Sequence, residues 1–204
     1  GKWNQKQSRD VLFIERNLRF LKPGGRMAIV LPQGRFNNVT DGFVRKYIAD
    51  NARILAVVGL HVNTFKPHTG TKTSVLFLQK WNDDAKAGAL CPRIENYPIF
   101  FATSEHSGKD NSGEYIFVKD EDGKPLLDLF NHQIVDQDLY DFRNVLEQQL
   151  DKVQERDEDI PELMEYHAQR YVEILKHLPQ RKTVAEAFTE FAKRHELSFW
   201  EDED

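Results

Sequence analysis

A single cysteine, Cys91, stands in 204 residues, which excludes an internal disulfide framework and a cysteine-built zinc site. None of the eight prolines adjoins another, so the chain contains no Pro-Pro step. Its eleven glycines never fall into GxGxxG or GxxxxGK[ST], which removes the two common phosphate-cradling loops. No apolar run approaches the ~20 residues that a membrane-spanning helix needs. Positive charge is not in excess either: 28 Lys and Arg against 33 Asp and Glu give a net charge of −5. That balance does not exclude DNA binding, because a local basic surface or a partner subunit can supply the field. His61 and His68 have no carboxylate spaced to complete a metal triad, so no metal site is expected. The lone thiol fits a reducing cytoplasm. The chain opens on Gly1 rather than Met, so an N-terminal portion is expected upstream.

What is present reads as α/β. Hydrophobic residues make up 40% of the chain and include 14 Phe, enough for a core. Ser8 is placed to cap a helix over residues 9–21, with Val11, Ile14, Leu18 and Leu21 on one stripe. Pro23-Gly24-Gly25 stops that helix, and residues 27–31 follow as a continuous apolar run, the pattern of a strand buried on both faces. Thr40 or Asp41 can cap a second helix with Val44, Tyr47 and Ile48 inward, closed by Asn51 before a strand over 53–60. Helix, strand, helix, strand is the half-repeat of a doubly wound sheet. The next strand, 73–80, returns without a helix between and is therefore expected antiparallel to its predecessor, since parallel neighbours need a crossover.

Between these last strands lies a polar loop with Phe65, Lys66, Pro67, His68, Thr69, Gly70, Thr71 and Lys72. It is longer than a hairpin requires, and long loops in compact domains are more often functional than connective. Phe65 stands as a lone aromatic among cations and hydroxyls, and its plainest reading is a local hydrophobic anchor for the loop. Lys66, His68, Thr69, Thr71 and Lys72 read as phosphate contacts or as a solvated polar surface. Arg35 and Asn37, after the first strand, lie at the carboxyl edge where α/β sheets bind ligands.

Past Trp81 the texture changes. A polar linker precedes a strand over 97–103, a Ser- and Gly-rich loop over 104–113, a short strand over 115–118 and a turn at Asp120-Glu121-Asp122-Gly123. From Leu139 the pattern is helical: Leu139, Phe142, Leu146, Leu150 and Val153 form one stripe. A second carries Ile160, Met164, His167, Tyr171, Leu175 and Leu178, with Pro161 in its first turn and His167 expected packed. Thr183 is placed to cap a third helix. The acidic stretches 157–159 and 201–204 read as solvated ends, and no internal repeat is evident. The expected organisation is 1–81, a strand-and-loop extension over 82–135, and a helical module over 136–204.

Two longer strings carry a family resemblance. FIERNLRFLKPGGRMAIVLPQGRF and RILAVVGLHVNTFKPHTGTKTSVLFLQKW resemble the amino-methylating DNA methyltransferases, most nearly the methylation subunits of type I restriction–modification systems. The ending KTVAEAFTEFAKRHELSFW is similar to the tail of that subunit. The resemblance spans roughly residues 9–81 and covers the family's later conserved blocks. It implies the C-terminal half of a Rossmann-like S-adenosylmethionine-dependent methyltransferase sheet with an antiparallel last strand, followed by a helical module. It also implies transfer of a methyl group from S-adenosylmethionine to adenine N6 on a flipped base. The family's (Asn/Asp)-Pro-Pro-aromatic block is missing, as is its glycine-rich cofactor loop, so this segment alone is expected inactive. By resemblance, Phe65 is the flipped-base contact, Phe13 lines the cofactor's adenine pocket, and Lys66, His68, Thr69, Thr71 and Lys72 bind DNA. The implied partners are double-stranded DNA and the specificity and restriction subunits, docked through the C-terminal helices. The alternatives are a non-catalytic assembly module derived from a methylase subunit, or a methyltransferase of this fold with another substrate.

Overall fold

Residues 7–84, 86 and 91–197 are described in the computed structural model. They divide into two units, one drawn from Gly1–Leu60 and Thr71–Thr103, the other from His61–Gly70 and Ser104–Asp204. The expected boundary at residue 81 thus falls inside the first unit, and residues 61–70 group with the second.

In the first unit, α1 (Arg9–Phe20) buries Ile14 and Leu18 on the expected stripe. β1 (Arg26–Pro32) is followed by a four-residue α2 (Gly34–Asn37), one 3-10 turn (Val39–Asp41) and α3 (Gly42–Asn51). α2 and the 3-10 turn are too short to leave a periodic signal in the sequence. β2 (Ala52–Gly59), β3 (Thr73–Lys80) and β4 (Phe100–Thr103) complete a sheet of order β1-β3-β2-β4. β3 runs antiparallel to both neighbours, as the missing crossover requires, and β4 lies parallel to β2.

Cross-sheet rows Met27–Leu78–Ile54 and Ile29–Leu76–Val57 pack with Ile14, Leu18, Val44 and Ile48 into one core. The alternate positions on β1 and β3 face the other way and are barer: Val30 is 47% exposed and Phe77 is 37% exposed. β1 is therefore not buried on both faces as its composition suggests. It is an edge strand, and the core packs against one face of it.

Cys91 is buried, and burial pushes its thiol up, against a smaller lowering by the Arg53 charge. Because the thiolate is the reactive form, iodoacetamide at pH 8 is expected to label the native chain more than about tenfold slower than the denatured chain. Equal rates by mass spectrometry would show that this part of the first unit opens readily.

The second unit begins with a ribbon rather than a regular strand. Bridges Ser107–Gln137, Lys109–Tyr115, Phe117–Val135, Lys119–Pro125 and Leu127–Gln133 replace the strand expected over 115–118. Its turns repeat one design, which residue composition conceals. Asp110 Oδ1 accepts from the backbone N–H of Ser112 and Glu114, Asp120 Oδ1 from Asp122 and Lys124, and Asp128 Oδ1 from Phe130 and His132. The fourth residue of each turn takes positive φ: Gly113, Gly123 and Asn131.

α4 (Phe142–Arg156) buries Leu146 and Val153 of its expected stripe. α5 (Pro161–His177) buries His167 of its own together with Ile174, which lies off that stripe, while Ile160 is exposed, and α6 (Val184–Arg194) buries no residue fully. Asp141 caps α4, and Thr183 forms a capping box with Glu186. Val118, Leu126, Leu129 and Ile134 of the ribbon share a core with Leu146, Ile174 and Leu178. His167 is packed as expected, with Nε2 2.8 Å from Asp157 Oδ2. Asp157 is not a solvated end: hydrogen bonds from Arg156 and then His167 hold its carboxyl well below the usual range.

Candidate functional site

The long loop is closed at its base by Leu60 N–H donating to Thr73 O at 2.9 Å. Between those two residues in sequence, the chain over 61–70 is wound rather than extended. Thr64 N–H donates to His61 O, Lys66 N–H to Asn63 O and Thr69 N–H to Phe65 O, all at 3.0–3.1 Å. These turns hold Phe65 in the middle of the winding. Its ring is 37% exposed and is not among the residues packed in either hydrophobic core. That placement weighs against a purely anchoring ring.

Within the second unit the ribbon grips this loop. Asn63, 5% exposed, donates from Nδ2 to Lys109 O at 3.3 Å and to Asn111 Oδ1 at 3.1 Å. Lys109 Nζ donates to Lys66 O at 3.0 Å and sits 5.2 Å from the Tyr115 ring centroid. His68 and Thr69 are exposed on the second unit, whereas the exposed Thr71 and Lys72 belong to the first, where Lys72 O accepts from Gln33 N–H. Among the described residues, Lys66, His68, Lys72 and Lys109 form no ion pair with a carboxylate. Some other described cations, such as Arg35, Arg93 and Lys176, do. Lys109, Asn111 and Tyr115 are the contributors that sequence reasoning missed. The only signal for them was the Asp-x-x-Gly turn between 110 and 113, which read as a plain loop.

Arg35 is committed to structure. Its guanidinium contacts Asp10 through Nε, donates to Asp41 at 3.0 and 3.1 Å and reaches Ser8 Oγ at 2.9 Å. Burial pushes the Asp10 carboxyl up, but hydrogen bonds from Ser8 and Arg35, with the guanidinium charge, outweigh it and hold it below the usual range. The same contacts raise Arg35. Ser8 and Asp41 sit at the N-caps of α1 and α3 without making side-chain cap bonds, because Arg35 engages their oxygens instead. Asn37 does line a groove of about 670 Å³ in the first unit, with Gln33, Arg45, Phe101 and Thr103. Arg45 there donates to the backbone oxygens of Arg35 and Asn38. Phe13 is 60% exposed on α1, and the small cavity beside that helix is lined by Leu12, Ile14, Phe43 and Tyr47 rather than by it.

Glu121, Glu173 and His177, distant in sequence, bring donor atoms within 4.8 Å of one another on the second unit. Glu173 there already pairs with Lys176 at 2.7 Å.

A mixed α/β sheet with a reversed strand inside it, backed by helices, is the fold class that the first unit defines. The profile of the N-6 DNA Methylase family matches residues 2–173, and the chain belongs to that family. It is 33% identical over 70 residues to the type I restriction enzyme EcoEI methylase subunit of Escherichia coli. That match covers 34% of this chain and 14% of the relative. Among solved structures, a class I S-adenosylmethionine-dependent methyltransferase from Listeria monocytogenes aligns at 27% identity and TM-score 0.38, covering 49% of this chain and 28% of the other. A structure of the type I restriction–modification system aligns at 27% identity and TM-score 0.34, covering 38% and 17%.

Proposed function

We propose that this chain is the C-terminal part of an adenine-N6 DNA methyltransferase subunit of a restriction–modification system, and that it supplies one wall of the pocket for a flipped adenine. Family membership supports the reaction class, and the exposed Phe65 ring on its gripped loop carries the assignment of the wall. Adenine N6 lies inside the duplex stack, so an enzyme acting on it must extrude the base at a cost of about a few kcal/mol. An aromatic face returns part of that cost. Lys66, His68, Thr69, Thr71 and Lys72 contact phosphates and set the register of the DNA without reading its sequence.

S-adenosylmethionine is the methyl donor of the intact enzyme, but the described residues do not fit it by themselves. Phe13, the one candidate, is 60% exposed and does not line the cavity beside its helix. The apolar, partly bare face at Val30 and Phe77 and the edge position of β1 support further sheet upstream, where the Pro-Pro-aromatic block and the cofactor loop would stand. The specificity and restriction subunits dock on the helices after Leu139.

Transfer of tritium from labelled S-adenosylmethionine to unmethylated DNA tests the reading. The full-length subunit with its specificity partner is expected to label adenine, and residues 1–204 alone are not. Absence of transfer from both would favour a non-catalytic assembly module.

A further inference from the structure

We infer that the ribbon tip over residues 109–115 is a brace that presets the Phe65 loop, with Asn63, Lys109 and Gly113 as positioning residues for the base contact. This rests on the reading of Phe65 above.

Three features of different kinds converge on the loop. The Asn63 amide is buried and donates to both Lys109 O and Asn111 Oδ1, so its removal unties the loop from the ribbon at two points. The Lys109 ammonium ties the Lys66 carbonyl, one residue from Phe65, while its charge lies over Tyr115. Gly113, at φ +99°, lets two backbones touch. A Cβ there would lie 2.6 Å from Pro67 N and 2.8 Å from Lys66 C and Pro67 Cδ. Those are backbone and ring atoms that cannot swing aside, so any side chain at 113 displaces the segment that carries Phe65.

Gly123 provides the internal comparison. It holds the same place in the second Asp-initiated turn, at φ +78°, yet a Cβ there meets nothing within 4 Å. The turn geometry alone therefore does not call for close approach, and the contact at Gly113 is particular to the turn that faces the loop. A ring held in place before DNA arrives loses little ordering entropy when the base stacks, which is what such a brace contributes.

The test uses the full-length subunit with its specificity partner. Gly113→Ala and Gly113→Asn are each expected to lower kcat/KM for DNA methylation between about 10- and 100-fold, the cost of a misplacement near 1 Å. KM for S-adenosylmethionine stays unchanged. Asn is among the side chains that best bear positive φ, yet both Gly113 (φ +99°) and Gly123 (φ +78°) strain it, so it is the difference between the two Asn variants that reports the contact. Gly123→Asn is expected to stay within about twofold of the parent by the same argument. In a Phe65→Ala background, Gly113→Asn should add almost nothing, whereas a merely structural lesion would lower both backgrounds equally. If Gly113 variants do not fold, Lys109→Met carries the test, with recovery expected in Lys109→Arg. The brace is overturned if Phe65→Ala is impaired while Gly113→Asn, or Lys109→Met in its place, methylates like the parent. An unimpaired Phe65→Ala instead removes the base-contact reading itself, whatever the Gly113 variants do.

Discussion

Phe65→Ala in the full-length subunit lowers kcat/KM for methyl transfer to DNA by between about 5- and 150-fold, the equivalent of one base–aromatic stack worth about 1–3 kcal/mol. The loss should fall on steps that involve the extruded base and not on cofactor affinity, because the described residues around Phe65 include no cofactor cradle. Folding should be almost untouched: the ring is 37% exposed and belongs to neither hydrophobic core. An unchanged melting temperature with a large kinetic defect separates this outcome from loop collapse. The backbone turns at His61, Asn63 and Phe65 and the Asn63 side-chain bonds all survive the substitution, since none uses the Phe65 side chain.

The largest stability effect is expected at Arg35. Arg35→Ala leaves Asp41, 7% exposed, without its cation and releases Asp10 and Ser8 at the head of α1. Breaking one side of a buried pair costs about 3–5 kcal/mol, and a quarter of the Arg35 side chain remains exposed, so a loss of about 2–3 kcal/mol at pH 7 is expected. The pH dependence follows from the lowered folded-state value of Asp10. Its contribution is fully present above the unfolded carboxylate value of about 3.9 and is lost as pH falls through the lower folded value. Urea unfolding should thus show the full gap between parent and variant at pH 7 and a gap that narrows progressively as pH falls below about 3.9. A gap that persists undiminished in acid would mean that packing, not charge pairing, accounts for the loss.

Local signals in this chain proved legible and long-range pairings did not. The reversal of β3 could be read because no crossover segment separates it from β2, and the Thr183 cap because Glu186 follows three residues later. The stripe of α1 likewise gives Ile14 and Leu18 their places. Ser8 and Asp41, by contrast, read as helix caps, yet a guanidinium brought in from position 35 competes for their oxygens. β1 looked buried on both faces because its composition suits a central strand, whereas its actual neighbours are set by what else the sheet contains. At the loop, the sequence singled out Phe65 as a lone aromatic among cations. It could not show that Asn63 reaches Asn111 or that Gly113 abuts Pro67, since those contacts join stretches more than forty residues apart that share no periodic pattern.

The central claim is that Phe65 works through its aromatic face. Comparing Phe65→Tyr with Phe65→Leu for tritium transfer by the full-length subunit addresses it most directly, because both keep bulk and only one keeps a π-face. The account predicts that Phe65→Tyr methylates DNA within about threefold of the parent while Phe65→Leu falls as far as Phe65→Ala, as stacking requires. Equal activity of Phe65→Leu and the parent would contradict it.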